Sequence, residues 1–162
     1  MSYSVREAGV EDAEAAGELV SALRAYACSL DWRLHRISDA GRDAAPEEIR
    51  EDVEHADRRV LLVEHRNHGI IGVLKGAVHE NPKRVPHTTG SLSRLYVRPE
   101  FRRRGLGRML VARMCAWFEE RGVEAVTLRY VLADHQSAAF WHAIGFQPVI
   151  STARCALDSI RA

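Results

Sequence analysis

The stretch "YVRPEFRRRGLGRMLV", residues 96–111, places five arginines and two glycines between an apolar run and a segment with helical spacing. Backbone N–H groups in the first turn of a helix have no partner within it, and they carry the positive end of the helix dipole. An anion fits there. Glycines at 105 and 107 remove side chains that would hold a bulky anion away from the backbone, while Arg102, Arg103, Arg104 and Arg108 add charge around it.

Three other readings of this junction compete. A P-loop needs a lysine and a hydroxyl after its last glycine, and neither follows Gly107. A dinucleotide fingerprint would use Gly105 and Gly107 as its first two glycines, but Leu110 stands in the third place and no acidic residue is evident at the ribose position. The third reading is a solvated arginine loop with a glycine-assisted turn.

Working outward, apolar residues Leu106, Leu110, Met114, Trp117 and Phe118 recur at helical spacing until Gly122, which offers a carboxyl-terminal cap. Upstream, Ser91 to Val97 reads as a strand that Arg98-Pro99 ends, because proline cannot extend a ladder. "RVLLVEH" and "GIIGVLKGAVHE", joined by "RNHG", read as a hairpin. Before them, Ala16, Val20, Leu23, Ala27 and Leu30 mark one face of a first helix, and a second helix starts near Pro46, with Glu47 and Glu48 suiting its amino end. Tyr3 to Glu7 reads as an opening strand. Downstream, Val123 to Val131 is a strand and Ser137 to Ala143 a helix, after which "FQPVI" and "ARCALD" read as two closing strands. The result is a mixed α/β layered fold: a central sheet of six to seven strands with four helices, in one domain spanning residues 1–162.

With 46% apolar and 28% charged residues, the chain supports one ordinary core. A formal charge of +1 argues against a polycation built for nucleic acid, and the arginines lack the interleaved aromatics of a stacking surface. No apolar window reaches membrane-spanning length, and the opening residues do not resemble a secretory signal. The expected location is the cytoplasm, where Cys28, Cys115 and Cys155 would be reduced thiols. His65-x-x-His68 invites a metal reading, but a zinc site needs three or four convergent ligands, so no metal is expected.

"LSRLYVRPEFRRRGLGRML" resembles the pyrophosphate-binding segment of the GNAT acyl-CoA N-acyltransferase superfamily, whose Gln/Arg-x-x-Gly-x-Gly/Ala signature is matched by Arg102-Arg103-Arg104-Gly105-Leu106-Gly107. "DHQSAAFWHAIGF" is similar to that family's Asn-x-x-Ala-x-x-x-Tyr-x-x-x-Gly-Phe helix. The resemblance implies acetyl-CoA as the anion and an amine as the acceptor, and it makes a homodimer an open possibility. It also implies two central parallel strands that splay to admit the pantetheine arm. Leu95, Tyr96 and Val97 would pair with that arm, the turn from Arg102 to Arg108 would hold the pyrophosphate, and Asp134 and Trp141 would line the site from the second motif.

The chain departs from the family at both proton-handling places. Ser93 and Arg94 stand where many members carry a carboxylate, and Trp141 replaces a tyrosine that protonates the leaving thiolate. The remaining catalytic candidates are Glu80 and His87, which bracket the loop before the central strand, Glu64 on the hairpin, and Tyr130 on the splaying strand. His135 and His142 flank the second motif. Two functions stay open: an N-acetyltransferase acting on a primary amine of a small molecule or protein, and a coenzyme-A-binding sensor or regulatory module with little catalysis.

Overall fold

The computed structural model describes residues 2–31, 34 and 38–159. Five strands form one sheet in sequence order: β1 (Tyr3–Glu7), β2 (Arg58–His65), β3 (Gly69–Glu80), β4 (Thr88–Val97) and β5 (Ala125–Leu128). Neighbours are antiparallel except β4 and β5, which run parallel. A parallel pair needs a crossover, and the longest helix on that side, α4 (Leu106–Glu120), supplies it.

The two faces of the sheet have separate cores. On one face, α1 (Ala13–Leu30) and α3 (Ala45–Glu54) cover Val60, Leu62 and Val73. On the other, Leu110, Met114, Trp117 and Phe118 of α4 pack with Leu61, Val63, Ile71, Leu74 and Leu92. Trp141 of α5 (His135–His142) joins this second core. On β2 these are the sets that period-two alternation assigns to opposite faces, whereas on β3 a bulge at Ile71, between the pairs Val63–Gly72 and Glu64–Ile70, sets Ile71 on the α4 face with Leu74.

Most expected elements are present. The hairpin turn brings His65 opposite Gly69, and Pro46 lies in the first turn of α3 with Glu47 and Glu48 beside it. Gly122, at φ 67°, follows α4. Between α1 and α3 the described residues include a short helix, α2 (Asp39–Asp43). Of the expected face of α1, Ala16 and Val20 are buried, whereas Leu23, Ala27 and Leu30 are only partly covered.

Two expectations are corrected. The sheet has five strands among the described residues rather than six or seven, because neither "FQPVI" nor "ARCALD" forms one. Pro148 removes a ladder donor from the middle of the first candidate. Beyond it the chain is exposed, with Val149 and Ile150 85% and 88% accessible. The strand expected over Val123 to Val131 also shrinks to Ala125–Leu128. Its partner β4 bends away at that point, for a reason that lies in the site itself.

Candidate functional site at the opening between β4 and β5

β4 carries a bulge. Ser93 lies opposite Lys75 and Tyr96 opposite Val73, so two residues, Arg94 and Leu95, face the single Leu74. Arg94 takes the strain, with φ at 56°. Pairing with β5 ends just before the bulge, at Leu92 opposite Leu128. From Ser93 to Val97 the outer edge of β4 has no strand beside it, which is the splay that the resemblance implies.

The direction of the free backbone groups follows from the ladder. The Arg98 N–H donates to the Ile71 carbonyl at 2.9 Å, so Val97 and Gly72 form a non-hydrogen-bonded pair. The N–H and C=O of Val97 therefore point outward, into the opening. Arg102 reaches back and its Nε donates to that carbonyl at 2.9 Å.

Next along the chain comes the arginine turn. Pro99–Phe101 forms a single 3-10 turn that buries Phe101, and the chain then enters α4 through two left-handed residues, Arg103 at φ 62° and Gly105 at φ 79°. Alternation of this kind turns successive N–H groups to one side, making a concave donor set suited to an anion. Among the described residues no side chain caps α4, which leaves the donors of its first turn open. A β-carbon at Gly105 would meet no heavy atom within 4 Å, so the approach to these donors is clear. Backbone and geometry fit a pyrophosphate here.

The four arginines divide. Arg102 is committed to the Val97 carbonyl, and its guanidinium lies over the rings of Tyr96 and Tyr26 at 5.4 and 5.8 Å. Arg104 donates to the Tyr3 hydroxyl at 2.7 Å and to the Glu100 carbonyl at 3.1 Å, bracing the turn against β1. Arg103 is exposed, and Arg108 makes one long contact to the Ala143 carbonyl at 3.5 Å. The side-chain charge available to an anion at the turn comes from these two. Arg102 and Arg104 shape the turn instead, although the sequence suggested that all four would surround the anion.

The second motif packs onto the first. A β-carbon at Gly107 would come within 3.2 Å of the Phe140 ring, so glycine here lets α5 approach the start of α4. Trp141 is 5% exposed, edge-on to Phe140 and Phe146 at 4.9 and 5.4 Å between ring centres. It therefore sits in the core as packing. Asp134 caps α5, accepting the Ser137 N–H at 3.0 Å.

The proton-handling candidates do not converge. Glu80 lies opposite Thr88 at the start of β4 and His87 is exposed just before it. Six residues of strand, about 20 Å, separate Thr88 from the bulge. Glu64 is engaged at the other edge of the sheet by Arg6, at 2.7 Å. Tyr130 differs: it lies two residues past the end of β5, where pairing with β4 has stopped just short of the bulge, and packs partly buried against the core that holds Trp141. His135 and His142 are exposed at the two ends of α5.

At the hairpin the His65 and His68 rings lie tilted to each other at 4.7 Å between centres, and His65 lies tilted and His68 edge-on to Phe101 at 5.4 and 5.2 Å. Burial, the neighbouring His68 and Arg104 together push the His65 imidazole below its ordinary pKa.

Two features had little sequence signal. His79, on β3, pairs its Nε2 with Ser91 Oγ at 2.8 Å on the α1/α3 side of the sheet, and only the alternation of β3 could have pointed to it. The left-handed Arg94 had none, because arginine carries no preference for that conformation.

No helix among the described residues is long and apolar enough to cross a membrane. No curated protein matches the sequence. Among solved structures, a mutant of the BH1408 protein from Bacillus halodurans superposes with a TM-score of 0.83 at 21% identity, covering 95% of this chain and 99% of that one. A GCN5-related N-acetyltransferase from Ralstonia eutropha gives 0.75 at 18% identity, covering 95% and 98%. A predicted acetyltransferase from Clostridium acetobutylicum, solved with acetyl-CoA, gives 0.77 at 14% identity and covers 99% of both chains. At these identities the likeness concerns the fold. The model of the acetyltransferase (GNAT) family matches residues 24–146. That match takes in both motifs, the bulged β4 and the arginine turn, and the chain belongs to the acetyltransferase (GNAT) family.

Proposed function

We propose that the chain is an acetyl-CoA-dependent N-acetyltransferase acting on a primary amine, with β4 and the α4 turn holding the coenzyme. The observation that carries this reading is the continuity of two donor sets: the free edge of β4 from Ser93 to Val97 leads directly into the uncapped turn at Arg103–Gly105. A long ligand with amides at one end and a pyrophosphate at the other matches that sequence of donors. Acetyl-CoA supplies an acyl group already activated as a thioester.

The protein's own contributions are binding, orientation and charge. N–H groups of the turn from Arg103 to Arg108 hold the pyrophosphate, with Arg103 and Arg108 adding side-chain charge. The outward N–H of Val97 and the edge at Leu95 pair with the pantetheine arm as an added strand would, while Tyr96, whose backbone faces Val73, contributes its place beside the arm. A backbone N–H beside the bulge, aimed at the thioester oxygen, would stabilise negative charge developing there. Tyr130, just past the end of β5, is the candidate that can contact the reacting groups. Glu80 and His87 stand too far along the strand to take the amine proton directly, so that proton leaves through water.

The buried packing of Trp141 favours a second reading, a coenzyme-binding module that does not turn over. Two measurements separate the cases. Acetyl-CoA should raise the thermal midpoint, because a ligand bound only by the native state stabilises it by mass action. Free-thiol release from acetyl-CoA, across a panel of amines, should then occur with some of them. A raised midpoint without thiol release from any amine establishes the module, and an unchanged midpoint at millimolar acetyl-CoA removes both.

A further inference from the structure

On the α1/α3 side of the bulge the sheet carries charge where a core would be apolar. Asp52 of α3, 5% exposed, is held by Lys75 and by Arg58 at 3.0 Å. Glu48 is held by Arg24, which also donates to the Gly41 carbonyl at 3.3 Å. Both carboxylates thus have cationic partners already. Arg94 remains, partly buried, and makes no hydrogen bond or ion pair with any described residue. Its electrostatic neighbours are Arg24 and Arg129, which repel it, and Glu48 and Asp52, which attract it. Burial is the main influence holding its pKa below the ordinary value, although a guanidinium stays charged.

Arg129 belongs to the same group. Thr127 lies opposite Ser91, and Val126, Leu128 and Tyr130 pack on the α4 face, so Arg129, just past the end of β5, alternates to the other face, where its charge acts on Arg94. It is exposed and it too has no bonding partner among the described residues. The network counts five cations, Arg24, Arg58, Lys75, Arg94 and Arg129, against two carboxylates. Arg94 moreover bears two unfavourable features at once, a left-handed backbone that glycine would adopt without strain and a partly buried charge whose nearby carboxylates, Glu48 and Asp52, are already paired with other cations. An external anion would relieve the second.

We propose that Arg94, flanked by Arg24 and Arg129, binds an oxyanion, carboxylate or phosphate, carried by the amine acceptor. This rests on the acetyltransferase reading, and it names the acceptor class as amines that bear a negative group. The guanidinium presents a planar fork of donors that either oxyanion can accept from bidentately. Because Arg94 is the bulge residue, an acceptor anchored by its anion lies at the place where β4 and β5 part, with its amine free to enter the opening.

The experiment is calorimetric binding, without acetyl-CoA, of two matched pairs: O-phosphoethanolamine against ethanolamine, and alanine against alaninamide. Proteins compared are the wild type, Arg94→Gln, Arg129→Gln and, as a charge control, Arg113→Gln on the exposed face of α4. In the wild type and the control, the anionic member of at least one pair should bind about tenfold or more tightly than its neutral counterpart, as expected for charge-assisted hydrogen bonds. The pair that shows this tells phosphate from carboxylate. The preference should vanish in Arg94→Gln. Should Arg94→Gln fail to fold, Arg129→Gln, altered at an exposed position, must by itself reduce the preference. Equal affinity within both pairs, no binding of any of the four, or a preference that survives both substitutions overturns the proposal. Loss of acetyl-CoA binding in the wild type, with the anion preference intact, would instead count against the acetyltransferase reading alone.

Discussion

Gly105 offers a perturbation whose cost is almost entirely backbone. It enters α4 at φ 79°, and a β-carbon there meets no heavy atom within 4 Å. Gly105→Ala therefore introduces no clash, and the penalty is that of holding an L-residue in the left-handed region, about 1–2 kcal/mol. For 162 residues, an unfolding entropy of about 2.1 cal/mol/K per residue sums to about 0.34 kcal/mol/K, so the thermal midpoint should fall by about 3–6 °C. Gly105→Asn is the informative control, since asparagine enters this region more readily than other side-chain-bearing residues; it should lose less. Where the alanine chain escapes strain by leaving the left-handed conformation, the N–H groups at the start of α4 turn away from the anion. Acetyl-CoA affinity should then fall further for alanine than for asparagine. Scanning calorimetry and titration calorimetry on the three proteins supply both readouts. Equal midpoints and equal affinities for wild type and Gly105→Ala would refute the assignment of this turn as a strained anion cradle.

Three further outcomes are expected. Asp52→Asn leaves Lys75 and Arg58 without their carboxylate and should cost about 3 kcal/mol in urea unfolding, the low end for a broken buried pair because Arg58 can turn to solvent; a change below about 1 kcal/mol would show the pair to be dispensable. Hydrogen bonds from Arg6 at 2.6 and 2.8 Å hold the Asp12 carboxyl below its ordinary pKa against the opposing effect of burial. A lowered folded value means stability that is full above the unfolded pKa of about 4 and lost as pH falls through the folded one, so Asp12→Asn should flatten the acid limb of stability below about pH 4; an unchanged limb would place the acid sensitivity elsewhere. Trp141→Phe should cost about 1–3 kcal/mol of stability through lost packing and leave the alkaline limb of any pH–rate profile in place. Disappearance of that limb in a folded variant would reveal a proton path through the indole.

The parts of the fold legible in the sequence were those written in periodicity. Leu106, Leu110, Met114, Trp117 and Phe118 announce α4 because a helix buries every third or fourth residue, and all five are buried. The turn before α4 was legible because glycine is what a left-handed approach requires. What escaped was set by tertiary pairing. Whether Phe146–Ile150 becomes a strand depends on a neighbour able to accept it, and hydropathy alone cannot say that β5 is short. Side-chain direction escaped for a similar reason: Arg102, Arg103, Arg104 and Arg108 read alike in sequence, yet a carbonyl on β4 claims the first and a tyrosine on β1 claims the third. The bulge at Arg94 had no local signature, since it is fixed by how Lys75 and Val73 register against β4.

The half-paired β4 makes the sheet a filter on what may lie against it. A strand that is interior as far as Leu92 and an edge from Ser93 onward is an open ladder of the sort that invites association with any extended polypeptide. Three details deny that use. The bulge breaks the straight run a partner strand would need, Arg102 covers the outward carbonyl of Val97, and Pro99 closes the far end. A polypeptide needs donors and acceptors alternating along several residues together with room for side chains on both faces. A thin, flexible arm with amides spaced far apart needs only an outward N–H and a gap. Chain geometry at this edge therefore suits a slender ligand better than a strand, and the same three details work against edge-to-edge pairing with another chain.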